Sequence, residues 1–530
     1  YSETMSADPM EEQRARSLSH ASAQPPILST SLTSQEGREA GEQSSRSNSL
    51  MLMRDSSGSH MKNIGLKSLE DFDVAQRGLG QYAAETESLL SDHDIMGGSG
   101  RSSARISATG EVALSSFGQT VFNALNLLMG VGLLSLPYAM RLAGWFGMVI
   151  LLVFALFTCY TAKLLGRLQE YTPKSKLREG PGAYTIYGFH DMGYVVFGSW
   201  GKLLISILFI AETFGYCCVY LIIEGENLHH QFANVPVFQD WARQDFMVLS
   251  AVLFLPTVLL RNLSWLSYFS ALGVFSSIML LVGVAVTGLW ESIPPNQKYC
   301  SAPCTGSLIH PSPTDDIHLD SLTKVIGLIM VGFAGHAVFP TLRNDMVDKK
   351  QYTRMVDVSY VAVTVTYAGM AAVGYVMFGI AAQSEITLNL SNDNWVSRMV
   401  VWIVVVNPVT KFALDMAPIA LGLEAFFAAY FKIPQGGFHF LLSIVVRTFL
   451  VALALTIVIA APNFAVVLGV MGSLCAFTIS VTFPCWCYVK LFWNEISWFE
   501  RIVNVAGTMI GCVCAIVGTV ASMMHPGSET

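Results

Sequence analysis

The sequence predicts an all-α polytopic membrane protein with about eleven transmembrane helices behind a disordered N-terminal tail. Three observations predict it. Of 530 residues, 52% are hydrophobic and only 13% charged, where soluble domains carry about 25% charged residues. Beyond residue 115, apolar runs of about 18 residues or more recur, each long enough to cross a bilayer. Two of these runs are broken at corresponding places in the two halves, at Gly130-Val131-Gly132 with Pro137, and at Gly332-Phe333-Ala334-Gly335-His336 with Pro340. Such a pair points to a transporter's binding site, because lipid cannot satisfy a broken backbone and the break must line a cavity or bind something.

Taken in order, residues 1–114 are rich in Ser, Gly, Glu, Asp and Arg and show no sustained apolar periodicity. They cannot bury enough surface to offset chain entropy, so a disordered tail is expected. No basic segment followed by an apolar one opens the sequence, so no cleaved signal is expected and the first span serves as the insertion signal. Spans are expected near 116–139, 145–168, 200–224, 245–261, 266–290, 322–341, 355–381, 396–428, 439–461, 463–491 and 501–524, followed by a short tail at 525–530. The long eighth stretch either extends beyond the bilayer or kinks at Pro408 or Pro418.

Loop charge sets the orientation. Lys174, Lys176, Arg178, Arg261, Arg343, Lys349, Lys350, Arg354, Lys432, Lys490 and Arg501 all fall on one side, against Arg141, Arg243 and Lys298 on the other. The positive-inside rule then places the N-terminus in the cytosol and, with an odd span count, the C-terminus on the lumenal side. Asn389-Leu390-Ser391 falls on that far side as a glycosylation sequon. Cys300 and Cys304 share a polar far-side loop and suit a disulfide or remain free thiols; the other eight cysteines lie in apolar segments as packing residues. The net charge of −7 arises largely in the tail, and nothing resembles a nucleic-acid footprint.

The broken first span is the chemical centre of this reading. Unwinding around Gly130, Val131 and Gly132 frees N–H groups for a carboxylate and C=O groups for an ammonium or cation, and glycine admits close approach. A zwitterionic amino acid needs both. The plain alternative is a close helix–helix contact at the two glycines. Asn123 and Asn126 share a helix face and should turn inward, to hold the break open, touch solute, or bond a neighbouring helix. Gly332 and Gly335 flank the second break, Phe333 is a candidate gate, and His336 is either a proton carrier or a hydrogen-bonded structural residue. Glu212 in span three is a candidate proton acceptor or a carboxylate held by a neighbouring helix; Tyr216 and Tyr220 continue its face, to shape a pocket for the substrate side chain or simply to pack. Lys411 is costly in an apolar span and suggests a function, although Asp415 follows at i+4 and offers an intrahelical ion pair. No metal-ligand spacing, cofactor motif or nucleophile–base pattern is evident, so enzyme chemistry is not expected.

The run Ser115-Ser116-Phe117-Gly118-Gln119-Thr120-Val121-Phe122-Asn123-Ala124-Leu125-Asn126, then Gly130 to Tyr138, Ala143-Gly144-Trp145, Gly332 to Pro340 and Asn407-Pro408-Val409-Thr410-Lys411, resembles the amino acid/auxin permease family. Within it the sequence looks most like the vacuolar amino acid transporters of fungi and plants, relatives of the vesicular inhibitory amino acid transporter. The resemblance covers about residues 115–524. It implies the broken-helix, five-plus-five inverted-repeat fold of the wider amino acid–polyamine–cation superfamily, with an eleventh helix, and proton-coupled movement of neutral amino acids. Sodium-coupled relatives hold a cation between spans one and eight, and Lys411 lies near the matching region, where its ammonium would replace that ion.

Glu85-Thr86-Glu87-Ser88-Leu89-Leu90 fits the acidic dileucine sorting pattern, with Glu85, Leu89 and Leu90 presented to a cytosolic adaptor. It favours a vacuole, lysosome or endosome over a plasma-membrane permease that uses the motif for endocytosis. The expected partners are thus an amino acid, protons, the lipid bilayer and a sorting adaptor. Two other classes stand beside the carrier: a sensor that binds amino acid and signals through the tail, and, more weakly, a channel.

Overall fold

The computed structural model describes residues 114–171, 186, 188–232, 235–259, 264–290, 306–309, 311–314, 321–390, 395–431, 437–460 and 463–524. The tail with its Glu85-to-Leu90 motif, the Cys300/Cys304 pair and residues 525–530 lie outside this set. Within it the regular structure is helical, apart from one isolated parallel bridge between Ser115 and Met346.

The first span is two helices. α1 (Phe117–Leu128) opens with a capping box, in which the Ser116 hydroxyl accepts from the Gln119 N–H and the Gln119 side chain accepts from the Ser116 N–H. It stops at Met129, and α2 (Gly132–Ala143) starts after a break and turns away by 52°. α3 (Phe146–Gln169) is the second span; the short α4 (Phe189–Phe197) leads into α5 (Ser199–Phe232), the third. α6 (Arg243–Leu259) and α7 (Ser264–Trp290) are the fourth and fifth. The sixth is again interrupted, as α8 (Leu322–Met330), a 3-10 turn at Val331–Phe333, and α9 (Phe339–Asp345). α10 (Tyr352–Phe378), α11 (Trp395–Tyr430) and α12 (Gly437–Ala460) follow as the seventh to ninth. Pro408 and Pro418 both lie inside the single helix α11. The tenth runs from α13 (Phe464–Val470) through π-helical turns at Met471–Ala476 and Thr478–Thr482 to α14 (Phe483–Phe492), and α15 (Trp498–Met524) is the last.

Among the described residues seven helices are long and apolar enough to cross a membrane, and the bent α1–α2 pair makes an eighth. The remaining three predicted spans are α6, of 17 residues, α7, of 27, and the interrupted α8–α9. All eleven predicted spans therefore have a helical counterpart.

Packing defines two ends of the bundle. At the near face, where α1 begins, Arg343 of α9 pairs with Glu170 at the end of α3 (2.5 Å), Arg167 reaches Glu500 of α15 (3.4 Å), and Lys163 pairs with Asp357 of α10. Ser115 is also clasped there: its N–H donates to Asp345 O (2.7 Å) and its carbonyl accepts from the Val347 N–H (3.1 Å). At the far face Arg141 of α2 donates to Ala382 O (2.9 Å), and Trp145 meets Tyr375 edge to face. The two breaks lie between these ends. Gly132 backs onto Gly332 so closely that a Cβ on Gly132 would lie 2.7 Å from the Gly332 Cα.

Candidate functional site

A broken helix leaves carbonyls that must find donors, and here each named one does. Between Leu128 O (2.6 Å) and Gly332 O (2.9 Å) sits the Tyr367 hydroxyl of α10, joining the two breaks through one side chain. Met129 O accepts from the Lys411 ammonium of α11 (3.1 Å) and lies 3.5 Å from the Ser277 hydroxyl of α7. Val331 O accepts from the Tyr216 hydroxyl of α5 (3.4 Å). The unwound turns are thus fastened by four neighbouring helices.

Beside the first break lies a small cavity of about 30 Å³. Gly130 and Val131 form one wall with Leu133 and Leu134; Tyr220 and Ile223 of α5, Ser276, Ser277 and Leu280 of α7, and Ile403, Val404, Asn407, Pro408 and Lys411 of α11 complete it. The lining is mainly apolar, and Lys411 is its one charged residue. Gly130 leaves open space where a side chain would stand. Asn407 donates to the Ser276 hydroxyl (2.7 Å), tying α11 to α7 across the cavity floor.

The predicted residues divide between this cavity and its surroundings. Gly130, Val131 and Lys411 line it; Gly132 is one residue further, in the contact with Gly332. The Asn126 amide oxygen faces Gly273 of α7, next to the Lys411 stem. Asn123 is exposed, contrary to the expected inward turn, because it sits one turn nearer the open end of α1. Gly335 has φ 133°, a conformation that favours glycine. Phe333 is fully buried, stacked on Tyr360 and edge to face with Tyr367, rather than in the cavity wall. His336 is fully buried too, its Nε2 lying 3.0 Å from both the Thr161 hydroxyl and Thr158 O of α3, away from the cavity lining.

Glu212 is buried in α5 and interacts electrostatically with Asp415. Asp415 is not paired with Lys411: among the described ion pairs none joins them, and Asp415 instead accepts from the Tyr220 hydroxyl (2.9 Å). The i+4 spacing suggested an intrahelical pair, but the break in span one offers Lys411 a carbonyl that the helix alone could not reveal. The far-side sequon also reads differently in the fold. Asn389 is buried, its oxygen accepting from the Gln383 N–H (2.8 Å) and its amide donating to Ala381 O (2.9 Å), so the folded loop uses this side chain as an internal staple and does not present it as a glycan acceptor. Sequence reasoning missed Tyr367, which sits in an ordinary apolar run, and Ser276 and Ser277; only Asn407-Pro408 in mid-span carried a signal. Among the described residues no group of three or more His, Cys, Asp or Glu is arranged to hold a metal ion, and the eight cysteines of the described helices are free thiols.

Residues 114–524, the whole bundle from α1 to α15, match the pattern of the family described as transmembrane amino acid transporter protein. The chain belongs to this family. It is a family of transporters rather than enzymes, and its members named here align over most of the bundle. Amino acid transporter AVT1D of Arabidopsis thaliana is 33% identical over 424 residues, covering 79% of this chain and 72% of that one. Amino acid transporter AVT1J of the same plant is 31% identical over 440 residues, covering 82% and 93%. The vesicular inhibitory amino acid transporter of Rattus norvegicus is 24% identical over 422 residues, covering 76% and 74%. As an amino acid transporter family member, the protein carries both of its helix breaks inside the matched region.

Proposed function

We propose that this protein is a secondary active, proton-coupled carrier of neutral amino acids, working by alternating access in a vacuolar or lysosomal membrane. The observation that carries the reading is the first-span break, with Gly130 and Val131 open to a cavity and the Met129 carbonyl held by the Lys411 ammonium. The N–H groups opening α2 suit a substrate carboxylate, and the apolar wall of Leu133, Leu134, Ile223 and Val404 suits an uncharged side chain. Lys411 supplies positive charge between spans one and eight, where sodium-coupled relatives of the resembled family place a cation, so transport needs no sodium. Glu212, with Asp415 and Tyr220 beside it, is the proposed proton relay; His336, committed to α3, is proposed to position the second break. The near face is assigned to the cytosol and the far face to the lumen, from loop charge.

The test is uptake of labelled neutral amino acids into proteoliposomes under an imposed pH gradient, without sodium. Uptake that collapses when the gradient is dissipated supports the reading. Sodium stimulation removes the Lys411 assignment. Amino acid binding with no uptake under either gradient polarity replaces the carrier with a sensor.

A further inference from the structure

At the far face the segment after α10 folds onto the ends of α2 and α5. Arg141 holds it at Ala382 O, and Asn227 holds it at Glu385, donating Nδ2 to Glu385 Oε2 at 2.9 Å. The same Asn227 amide donates to Ile223 O (2.8 Å), and Ile223 lines the cavity. The loop is therefore one side chain away from the cavity wall. Within the loop, Glu385, Ile386 and Thr387 are fully buried.

Glu385 has an unusual environment for a carboxyl group. Its Oε1 meets no donor among the described residues. Within hydrogen-bonding reach lies a second carboxyl, Glu226 of α5, and Glu224, also buried, adds its charge nearby. Two carboxylates in contact and out of water cannot both be ionised. The exposed Arg243 of α6 donates to Glu226 Oε1 (3.4 Å), and its positive charge favours the ionised form of Glu226. The proton then belongs to Glu385, which donates it to Glu226. Burial and, next, the Glu226 charge hold Glu385 well above the usual carboxylate range.

We propose that Glu385 is a further proton-binding site, separate from the intramembrane candidates, whose proton latches the 379–390 loop onto α5. The other charges around it do not replace this proton. Arg141 of α2 is spent on a backbone carbonyl, Arg243 serves Glu226, and Arg398, the one charge in the first turns of α11, is exposed. Within the described part of the 379–390 loop Glu385 is the only ionisable side chain. The sign follows from linkage: the closed latch binds one proton more than the open one, so acid at the far face closes it and rising pH releases it. The proposal rests on the orientation given above only in naming that face lumenal.

The full-length protein in lipid nanodiscs with Ser384→Cys is labelled by a membrane-impermeant maleimide between pH 5 and 8. The rate is normalised to that of Val237→Cys, an exposed far-face position (75% exposed), which cancels thiol ionisation. The normalised rate is expected to stay low in acid and then rise with pH, by up to about tenfold per unit, the limit for one linked proton. Glu385→Gln, neutral and isosteric, should remain low throughout. Glu226→Gln removes the like charge and should move the rise to lower pH. A flat parental profile, or a rise that survives in Glu385→Gln, overturns the latch. Since labelling needs no transport, a pH-dependent latch in a protein that carries nothing would sink the carrier reading and leave this one standing.

Discussion

Gly132 and Gly130 are two residues apart and do different work. A methyl on Gly132 would meet the Gly332 backbone at 2.7 Å, whereas one on Gly130 enters open space. Gly132→Ala should therefore lower the melting temperature, by overpacking worth about 1–3 kcal/mol, and abolish uptake. Gly130→Ala should melt like the parent, and any loss of uptake there reports on the cavity itself. Thermal unfolding of both variants by intrinsic fluorescence separates the cases; equal destabilisation would discredit the glycine contact. Lys411 is the other residue-scale test. Lys411→Ala leaves Met129 O without its ammonium donor, and transport under a pH gradient should fall to background. Partial recovery of transport by added sodium in that variant would be the signature of a restored cation site, and an unaffected rate would remove Lys411 from the mechanism.

At the scale of elements, the broken spans are held by side chains from helices far away in sequence. Tyr367 bridges Leu128 O and Gly332 O. Tyr367→Phe keeps the packing but strands buried carbonyls, at about 1–3 kcal/mol, and should slow transport while the fold persists. A variant with parental melting and parental rate would show that the breaks do not need this tether. A second element-scale feature lies outside the site. Arg447 of α12 and Glu424 of α11 form a buried pair (2.8 Å), with Ser443 donating to Glu424 and Arg447 donating to Val258 O of α6. It pins three helices together. Removing one partner, as in Glu424→Ala, leaves a buried charge and should cost about 3–5 kcal/mol. The paired Glu424→Leu/Arg447→Met replacement should recover most of that loss, read as melting temperature; if it does not, the network specifies the helix arrangement rather than merely neutralising charge. The sequence alone did not reveal this network, because the two charges lie on different helices and no local spacing pairs them.

For the whole molecule, coupling is a matter of gradients. One pH unit is worth about 1.4 kcal/mol per proton, so two units with one proton exchanged should sustain about a hundredfold amino acid gradient at zero voltage. Steady-state accumulation in proteoliposomes clamped at zero potential measures this directly. Accumulation far below it means slippage, and far above it means more than one proton per cycle. The far-face contacts of the 379–390 loop and the near-face clasp of Ser115, Glu170 and Arg343 mark the two ends at which access would alternate.

The sequence by itself determined the fold class, the order of the eleven helical segments, the places of both breaks and the family. These follow from composition, run length and the meaning of glycine and proline inside an apolar helix, all of which are local. Only the tertiary structure decided which groups meet. It set Gly132 against Gly332, gave Lys411 a carbonyl instead of Asp415, turned Asn123 outward, drew Phe333 and His336 away from the cavity, and folded Asn389 into its own loop. The physical reason is the same each time: a buried polar group is satisfied by whatever neighbour the packing supplies, and that neighbour lies on another helix, at a sequence distance no local pattern encodes.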